Sequence, residues 1–238
     1  MRYNILDTPV DDTSLDKILD NLIRGQRVVH CFVNIHKIVL FNTEKSLQEL
    51  INNENCIFSP DGRWILFLSK IFRFPIKKSF GGLNIIDAVS TFSEKMSLKV
   101  YLLGAKRDII LKVKKTLQEK FSNLNVIGYH DGYFQDKEYI VNDIIEKQPN
   151  ILFIALPSPQ KELLANELFQ RVLSLMYVAG VGGAFDIIAN RHKRAPIFIQ
   201  NVGLEWLYRS IQKPELFKRY IEDSLTIIKL FIKNVIQR

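Results

Sequence analysis

Sulfur is scarce in this chain: 238 residues contain two cysteines, Cys31 and Cys56, each within an apolar segment and without CxxC spacing. A disulfide framework and a cysteine-based metal site are therefore not organising elements, and buried thiols in a reducing compartment are the simpler reading. No Asp-x-Asp pair and no His/Cys cluster offers a metal site. Nowhere do about 18 apolar residues run without a charge, the length a membrane helix needs. The opening MRYNILDTPVDD carries acids and no apolar core of signal-peptide length. These absences lead to the expectation of a cytoplasmic chain that does not span a membrane. Negative charge is also in short supply: the net charge is +8 and the pI near 9.4. Such a balance points to an anionic partner, whether nucleic acid, sugar nucleotide or membrane surface.

A hydrophobic content of 47% and an aromatic content of 11% exclude a disordered chain. Helical and strand patterns alternate along it. Leu15 to Ile23 reads as a helix, Arg27 to Asn34 as a buried strand, Ile35 to Ile51 as a helix and Asn55 to Phe58 as a strand. The turn Ser59–Arg63 leads into an apolar helix, Trp64 to Phe72. Helices are expected over Ile85 to Met96, up to Phe121, over Tyr139 to Lys147 and over Leu163 to Ser174. Between them lie strands at Leu98 to Gly104, Leu124 to Gly128, Ile151 to Leu156 and Met176 to Ala179. The pattern predicts an α/β fold, a Rossmann-like and mostly parallel sheet flanked by helices.

Gly180, Gly182 and Gly183 follow the last strand and let the backbone turn sharply against a ligand. The start of a helix at Phe185 to Ala189 would then offer free amides to a phosphate. A βα turn that needs glycine only for packing has the same signature. Asp61, in Ser-Pro-Asp-Gly, reads as a turn residue bonded to local backbone. It also falls at the carboxyl end of a strand, where ligands of α/β sheets collect. Ser158 and Glu162 suit a helix N-terminus.

The run GVGGAFDIIANRHKRAPIFIQNVGLEWLYR closely resembles the signature of the WecG/TagA/CpsF glycosyltransferases, which extend polyprenyl-diphosphate-linked sugars in bacterial surface-polysaccharide assembly. The matches are Gly180, Gly182, Gly183, Phe185, Asp186, Arg194, Ala195, Pro196, Gly203, Leu204, Glu205, Trp206 and Arg209. The resemblance covers roughly residues 28 to 220 and implies roles for several positions. Asp61 becomes the general base, apt for taking the acceptor hydroxyl proton in inverting transfer. Donor and UDP binding fall to Asn34, Gly104, Ala105, Gly132, Tyr133, Phe134, Pro159, Gln160, Lys161, Glu162, Gly182, Gly183, Phe185 and Asp186. Arg194, Arg209 and Arg219 would stabilise the donor diphosphate, without a metal or other cofactor. The sequence departs from the family pattern at Phe32 (usually threonine), Lys78 (commonly arginine), Leu83 (commonly aspartate) and Lys161 (usually glutamine). Donor or acceptor preference is expected to diverge at these positions.

From Asn190 onward, ten Lys and Arg stand against four acids, which places six of the eight net positive charges in the last fifth of the chain. Phe217, Ile221, Leu225, Ile228, Ile232 and Val235 recur at helical spacing, widened by Ile227 and Phe231. Such a helix packs on its own domain or lies in an anionic bilayer interface. The expected division is an α/β catalytic core over 1–195 and a basic amphipathic helical appendage over 196–238, which faces the membrane and completes the active site. The expected protein is a UDP-sugar-dependent hexosyltransferase, peripheral on the inner face of the cell membrane. It would move a hexose derivative, by default N-acetylmannosamine, onto a polyprenyl-diphosphate-linked sugar. UDP-glucose, UDP-glucuronic acid and another UDP-hexosamine are alternative donors, and homo-oligomerisation is left open. A basic nucleic-acid-binding protein and a non-catalytic sugar-nucleotide-binding subunit are the rivals; no recognisable nucleic-acid module supports the first, and no nucleic acid partner is expected.

Overall fold

The computed structural model describes residues 1–236, with the side chain of Val235 left out. Six strands form one parallel sheet: β3 (Val28–Val33), β4 (Cys56–Pro60), β5 (Lys99–Gly104), β6 (Asn125–His130), β7 (Ile151–Ala155) and β8 (Tyr177–Gly180), in the order β4-β3-β8-β7-β5-β6. Two short strands outside this sheet, β1 (Arg2–Ile5) and β2 (Thr8–Asp11), pair as an antiparallel hairpin. The α/β expectation holds; the hairpin is an addition that the sequence pattern did not reveal.

Alternation along the strands explains the layers. In β3, Val29, Cys31 and Val33 face one apolar cluster while Val28 and Phe32 face the other, and all six residues are buried. The first cluster is covered by α2 (Ile35–Thr43), α3 (Gln48–Asn52), α4 (Arg63–Ile71), α7 (Lys137–Lys147) and α8 (Gln160–Arg171). The second is covered by α1 (Leu15–Ile23), α5 (Gly82–Lys95), α6 (Arg107–Lys120) and the short α9 (Ala184–Ile188). A buried side chain such as Phe58 or Phe153 contributes about 1.5–3 kcal/mol by leaving water. The long helix expected from Ile35 to Ile51 is broken: α2 ends at Thr43, and a 3-10 turn at Lys45–Leu47 precedes α3.

Three helices follow the core: α10 (Ile197–Val202), α11 (Glu205–Gln212) and α12 (Glu215–Ile236). Helices α4, α10, α11 and α12 neighbour one another in that order, and α12 also lies against α2. The stripe divides as the helix turns. Ile227, Leu230 and Phe231 pack on the core, while Phe217, Ile221, Leu225, Ile228 and Ile232 are about half exposed. The Val235 side chain, part of the expected stripe, lies outside the described residues, as does Arg238. No helix among the described residues is long and apolar enough to cross a membrane.

Candidate active site

The carboxyl ends of β3, β4, β7 and β8 open into one cleft of about 1940 Å³, roofed by α11 and the first turns of α12. Single small-molecule sites usually occupy about 300–1,000 Å³, so this one has room for two substrates. Ligands of α/β sheets collect at this edge because helix starts and strand ends leave backbone groups facing it.

Asp61 stands at the cleft floor, one residue beyond β4. Its amide donates to the carbonyl of Val33 at 2.8 Å, which ties the turn to the end of β3. Asn34 begins α2 and serves two partners: its Oδ1 accepts from the amide of Lys37 at 3.1 Å, and its Nδ2 donates to Asp61 Oδ2 at 3.4 Å. Gly81 leaves room for the carboxylate, since a Cβ there would stand 2.9 Å from Asp61 Oδ1. Burial raises the Asp61 pKa to about 6; Glu205 reinforces the rise, and Arg209, the Asn34 bond and Lys161 oppose it. A carboxylate tuned there is ionised near neutrality yet holds a proton well enough to act as a base.

Behind the floor lies a buried charge cluster. Lys37, 2% exposed, donates from Nζ to Ser158 Oγ at 2.7 Å and to Glu162 Oε1 at 2.5 Å. Lys161 Nζ bonds to Ser158 Oγ as well and stands 3.0 Å from Glu162 Oε1. Two lysines thus share one carboxylate. Burial and the neighbouring Lys37 hold the Lys161 pKa below its ordinary value. Although burial alone would raise the Glu162 pKa, the two lysines outweigh it and hold the carboxyl low. The stem of Lys161 runs under the glycine turn, and a Cβ on Gly180 would meet its Cδ at 3.0 Å.

Gly182 in that turn has φ +53°, a left-handed conformation that favours glycine, and a Cβ on Gly183 would lie 3.3 Å from Arg209 Nη2. Arg209 therefore reaches the turn from α11. Helix α9, whose start was expected to offer free amides at this point, has only five residues. A second turn forms the far wall. Gly104 at φ +113° lets β5 approach the Ala155 carbonyl, where a Cβ would stand 2.4 Å from the oxygen. The amide of Gly132 closes this wall on the carbonyl of Ala105 at 2.8 Å.

Most of the residues singled out in the sequence line this cleft: Asn34, Asp61, Ala105, Gly132, Tyr133, Gln160, Lys161, Gly182, Gly183, Phe185, Asp186, Arg194, Arg209 and Arg219. Gly104, Phe134, Pro159 and Glu162 stand behind it. Phe134 packs on the core and against His130, Pro159 precedes α8, and Glu162 is held by the two lysines. Asp186 has its carboxylate engaged, accepting from Lys213 Nζ at 2.8 Å with Arg191 at 3.7 Å. It joins α9 to the link between α11 and α12. All four departures from the family pattern, Phe32, Lys78, Leu83 and Lys161, face the cleft.

Several groups at the cleft have no mark in the sequence. Lys37 carries no signal, because a lysine one turn into a helix ordinarily reaches solvent. Glu205, Trp206 and His192 all lie within the signature run, where the sequence attaches no role to them. Trp206 Nε1, His192 Nε2 and Arg219 Nε are buried without a hydrogen-bond partner among the described residues, and all three side chains line the cleft. No group of three or more His, Cys, Asp or Glu among the described residues is placed to hold a metal ion.

Comparison with known proteins bears on what such a cleft does. The model of the family described as "Glycosyl transferase WecG/TagA/CpsF family" matches residues 3–238. A relative from Bacillus subtilis (strain 168), named N-acetylglucosaminyldiphosphoundecaprenol N-acetyl-beta-D-mannosaminyltransferase, is 29% identical over 187 residues, covering 76% of this chain and 71% of the relative. A relative of the same name from Bacillus spizizenii (strain ATCC 23059 / NRRL B-14472 / W23) is 26% identical over 162 residues, covering 68% of this chain and 63% of the relative.

Proposed function

The chain belongs to the WecG/TagA/CpsF family of glycosyltransferases, and from that premise we propose that it transfers a hexose from a UDP-sugar to a polyprenyl-diphosphate-linked sugar, with inversion at the anomeric carbon. The observation that carries the reading is a carboxyl tuned to about 6, Asp61, facing a cleft that also holds Arg209 over a glycine turn. Asp61 takes the proton of the acceptor hydroxyl as that oxygen bonds to the anomeric carbon. The bond from that carbon to the diphosphate breaks, and UDP leaves with the electron pair. Arg209 and Lys161 face the charge that develops on the leaving diphosphate, and Arg194 adds a cation at the rim. These three side chains, rather than a metal, supply the stabilisation in this proposal. Ala105, Gly132 and Tyr133 form the wall for the nucleotide.

The relatives' names give the default pair, an N-acetylmannosaminyl donor and a diphosphate-linked N-acetylglucosamine acceptor. The second reading keeps the reaction and changes the donor to UDP-glucose, UDP-glucuronic acid or another hexosamine. It is favoured by the four departures facing the cleft, above all Lys161, a point charge where an amide is usual. Residues 196–238 act as the appendage that closes this cleft. Their half-exposed apolar stripe, with Lys218, Lys229 and Lys233 on the same helix, supports peripheral attachment to an anionic membrane surface.

UDP release from a panel of UDP-sugars, with and without a polyprenyl-diphosphate N-acetylglucosamine analogue and in EDTA, tests the proposal. Acceptor-dependent release with one donor is expected, and it names the sugar. UDP binding without release for every donor overturns the transferase reading in favour of a binding subunit.

A further inference from the structure

Lys37 and Lys161 meet the same two acceptors, Ser158 Oγ and Glu162 Oε1. A carboxylate that bridged two lysines for stability alone would offer one oxygen to each. Here both cations gather on Oε1, while Glu162 Oε2 is buried without a partner among the described residues. Lys37 is the fixed member of the cluster: its side chain is 3% exposed, and its amide also donates to Asn34 Oδ1. Lys161, with a side chain 12% exposed, lines the cleft. Its stem passes under the glycine turn, where a Cβ on Gly180 would meet Cδ at 3.0 Å and Cε at 3.2 Å. If the Lys161 ammonium turns away, neither of its acceptors is left bare, since Lys37 holds both. The two lysines hold the Glu162 carboxyl ionised. Two ammonium groups against one carboxylate leave an excess of positive charge enclosed below the turn, which is costly until an anion comes to it.

We propose that Lys37 is a positioning residue for the transfer: by neutralising Glu162 it frees the charge of Lys161 to act on the donor diphosphate at the glycine turn. The inference rests on the transferase reading of the same cleft. With Lys37 in place, Lys161 turns from Glu162 to the phosphate oxygens, and the buried carboxylate keeps its counter-ion. Without Lys37, Glu162 and Lys161 form a neutral pair, and drawing Lys161 toward the substrate strands a carboxylate in the core. Lys37 thus acts through Lys161. The glutamine usual in the family at position 161 brings no charge to the turn, so the two lysines together give this chain a cation that the family pattern lacks.

Calorimetry with UDP on the intact protein reads the charge of the cluster. Lys37→Met removes one cation and leaves a neutral pair, and it is expected to weaken UDP roughly tenfold to a hundredfold, the worth of a charge-assisted hydrogen bond. Lys37→Met combined with Glu162→Gln leaves Lys161 as an unpaired cation again, and affinity is expected to return close to that of the wild type. A purely structural Lys37 predicts the opposite, because the double variant has lost more of the cluster. Lys161→Gln keeps the pair of Lys37 and Glu162, so it serves even if Lys37→Met does not fold, and it should weaken UDP to the same degree. Unchanged affinity in either single variant, or a loss that persists in the double variant, would overturn the proposal and leave the transferase reading intact. No UDP binding by the wild type would overturn that reading and the proposal with it.

Discussion

The α/β core and the C-terminal helices are built from opposite materials. In the core, six strands are joined by regular ladders, and even the charged groups are enclosed: Lys37 and Glu162 have side chains 3% and 4% exposed. The appendage is attached by a handful of polar contacts. Lys213 meets Asp186, the Gln212 side chain bonds to both backbone groups of Lys193, Trp64 Nε1 donates to the Gly203 carbonyl at 3.1 Å, and His36 meets Asp223 at 3.0 Å. Its apolar residues are divided between core and solvent. The core fixes the carboxylate of Asp61 at the cleft floor; the appendage brings Arg209 and Arg219 to the same cleft.

The largest effect is expected at Asp61, the core carboxyl that takes the proton in the proposed reaction. Asp61→Asn should lower turnover by about 10²–10⁴, the worth of a general base, while UDP affinity holds in calorimetry. Wild-type activity should fall as pH drops through about 6. The sign for stability is the reverse. The folded-state pKa of Asp61 lies above its unfolded value, so its contribution favours folding below the ordinary aspartate range and is lost as pH rises through about 6. Asp61→Asn should therefore melt higher than wild type at pH 7–8 and lose this advantage near pH 4. An unchanged rate would remove the base assignment.

Next in size is the core's charge cluster. Glu162→Gln leaves two lysines enclosed without a carboxylate and should cost about 3–5 kcal/mol in denaturant unfolding. If the melt hardly moves, the cluster is better solvated than its burial implies, and the contrast with the appendage weakens. On the appendage, Ile221→Ser, Leu225→Ser and Ile228→Ser together should lower partitioning to anionic vesicles roughly a hundredfold with little change in melting, because half-exposed aliphatic groups contribute to the interface and not to the core. Vesicle binding equal to wild type would sink the membrane role. The smallest expected effect is at a polar contact. Asp186→Asn removes the pair with Lys213, which is partly exposed and worth about 0–1 kcal/mol. It should reduce turnover a few-fold through looser closure, with no shift in melting.

How much of this could be read from the chain follows the same divide. The core strands are nearly continuous apolar runs, so their order of appearance and the α/β class were legible, and Asp61 could be located by its place after a strand. The N-terminal hairpin was not. Its turn uses Leu6 and Asp7 at φ 50° and 55°, left-handed positions usually marked by Asn-Gly, and Leu-Asp gives no such signal. The break after Thr43 was hidden because apolar spacing resumes beyond it. Lys37 reads as an ordinary helix cation, and only the fold brings Ser158 and Glu162 to it across more than a hundred residues. The unpartnered atoms of Trp206 and Arg219 depend on where α11 and α12 settle, and nothing local encodes that.

Asn34 and His36 are two residues apart at the start of α2. The first holds the carboxylate of Asp61 through its amide, and the second holds the carboxylate of Asp223 on α12. One turn of helix thus joins the carboxyl at the cleft floor to a helix whose apolar stripe is about half exposed. Where α12 rests and how Asp61 points are two readings of the same short spindle.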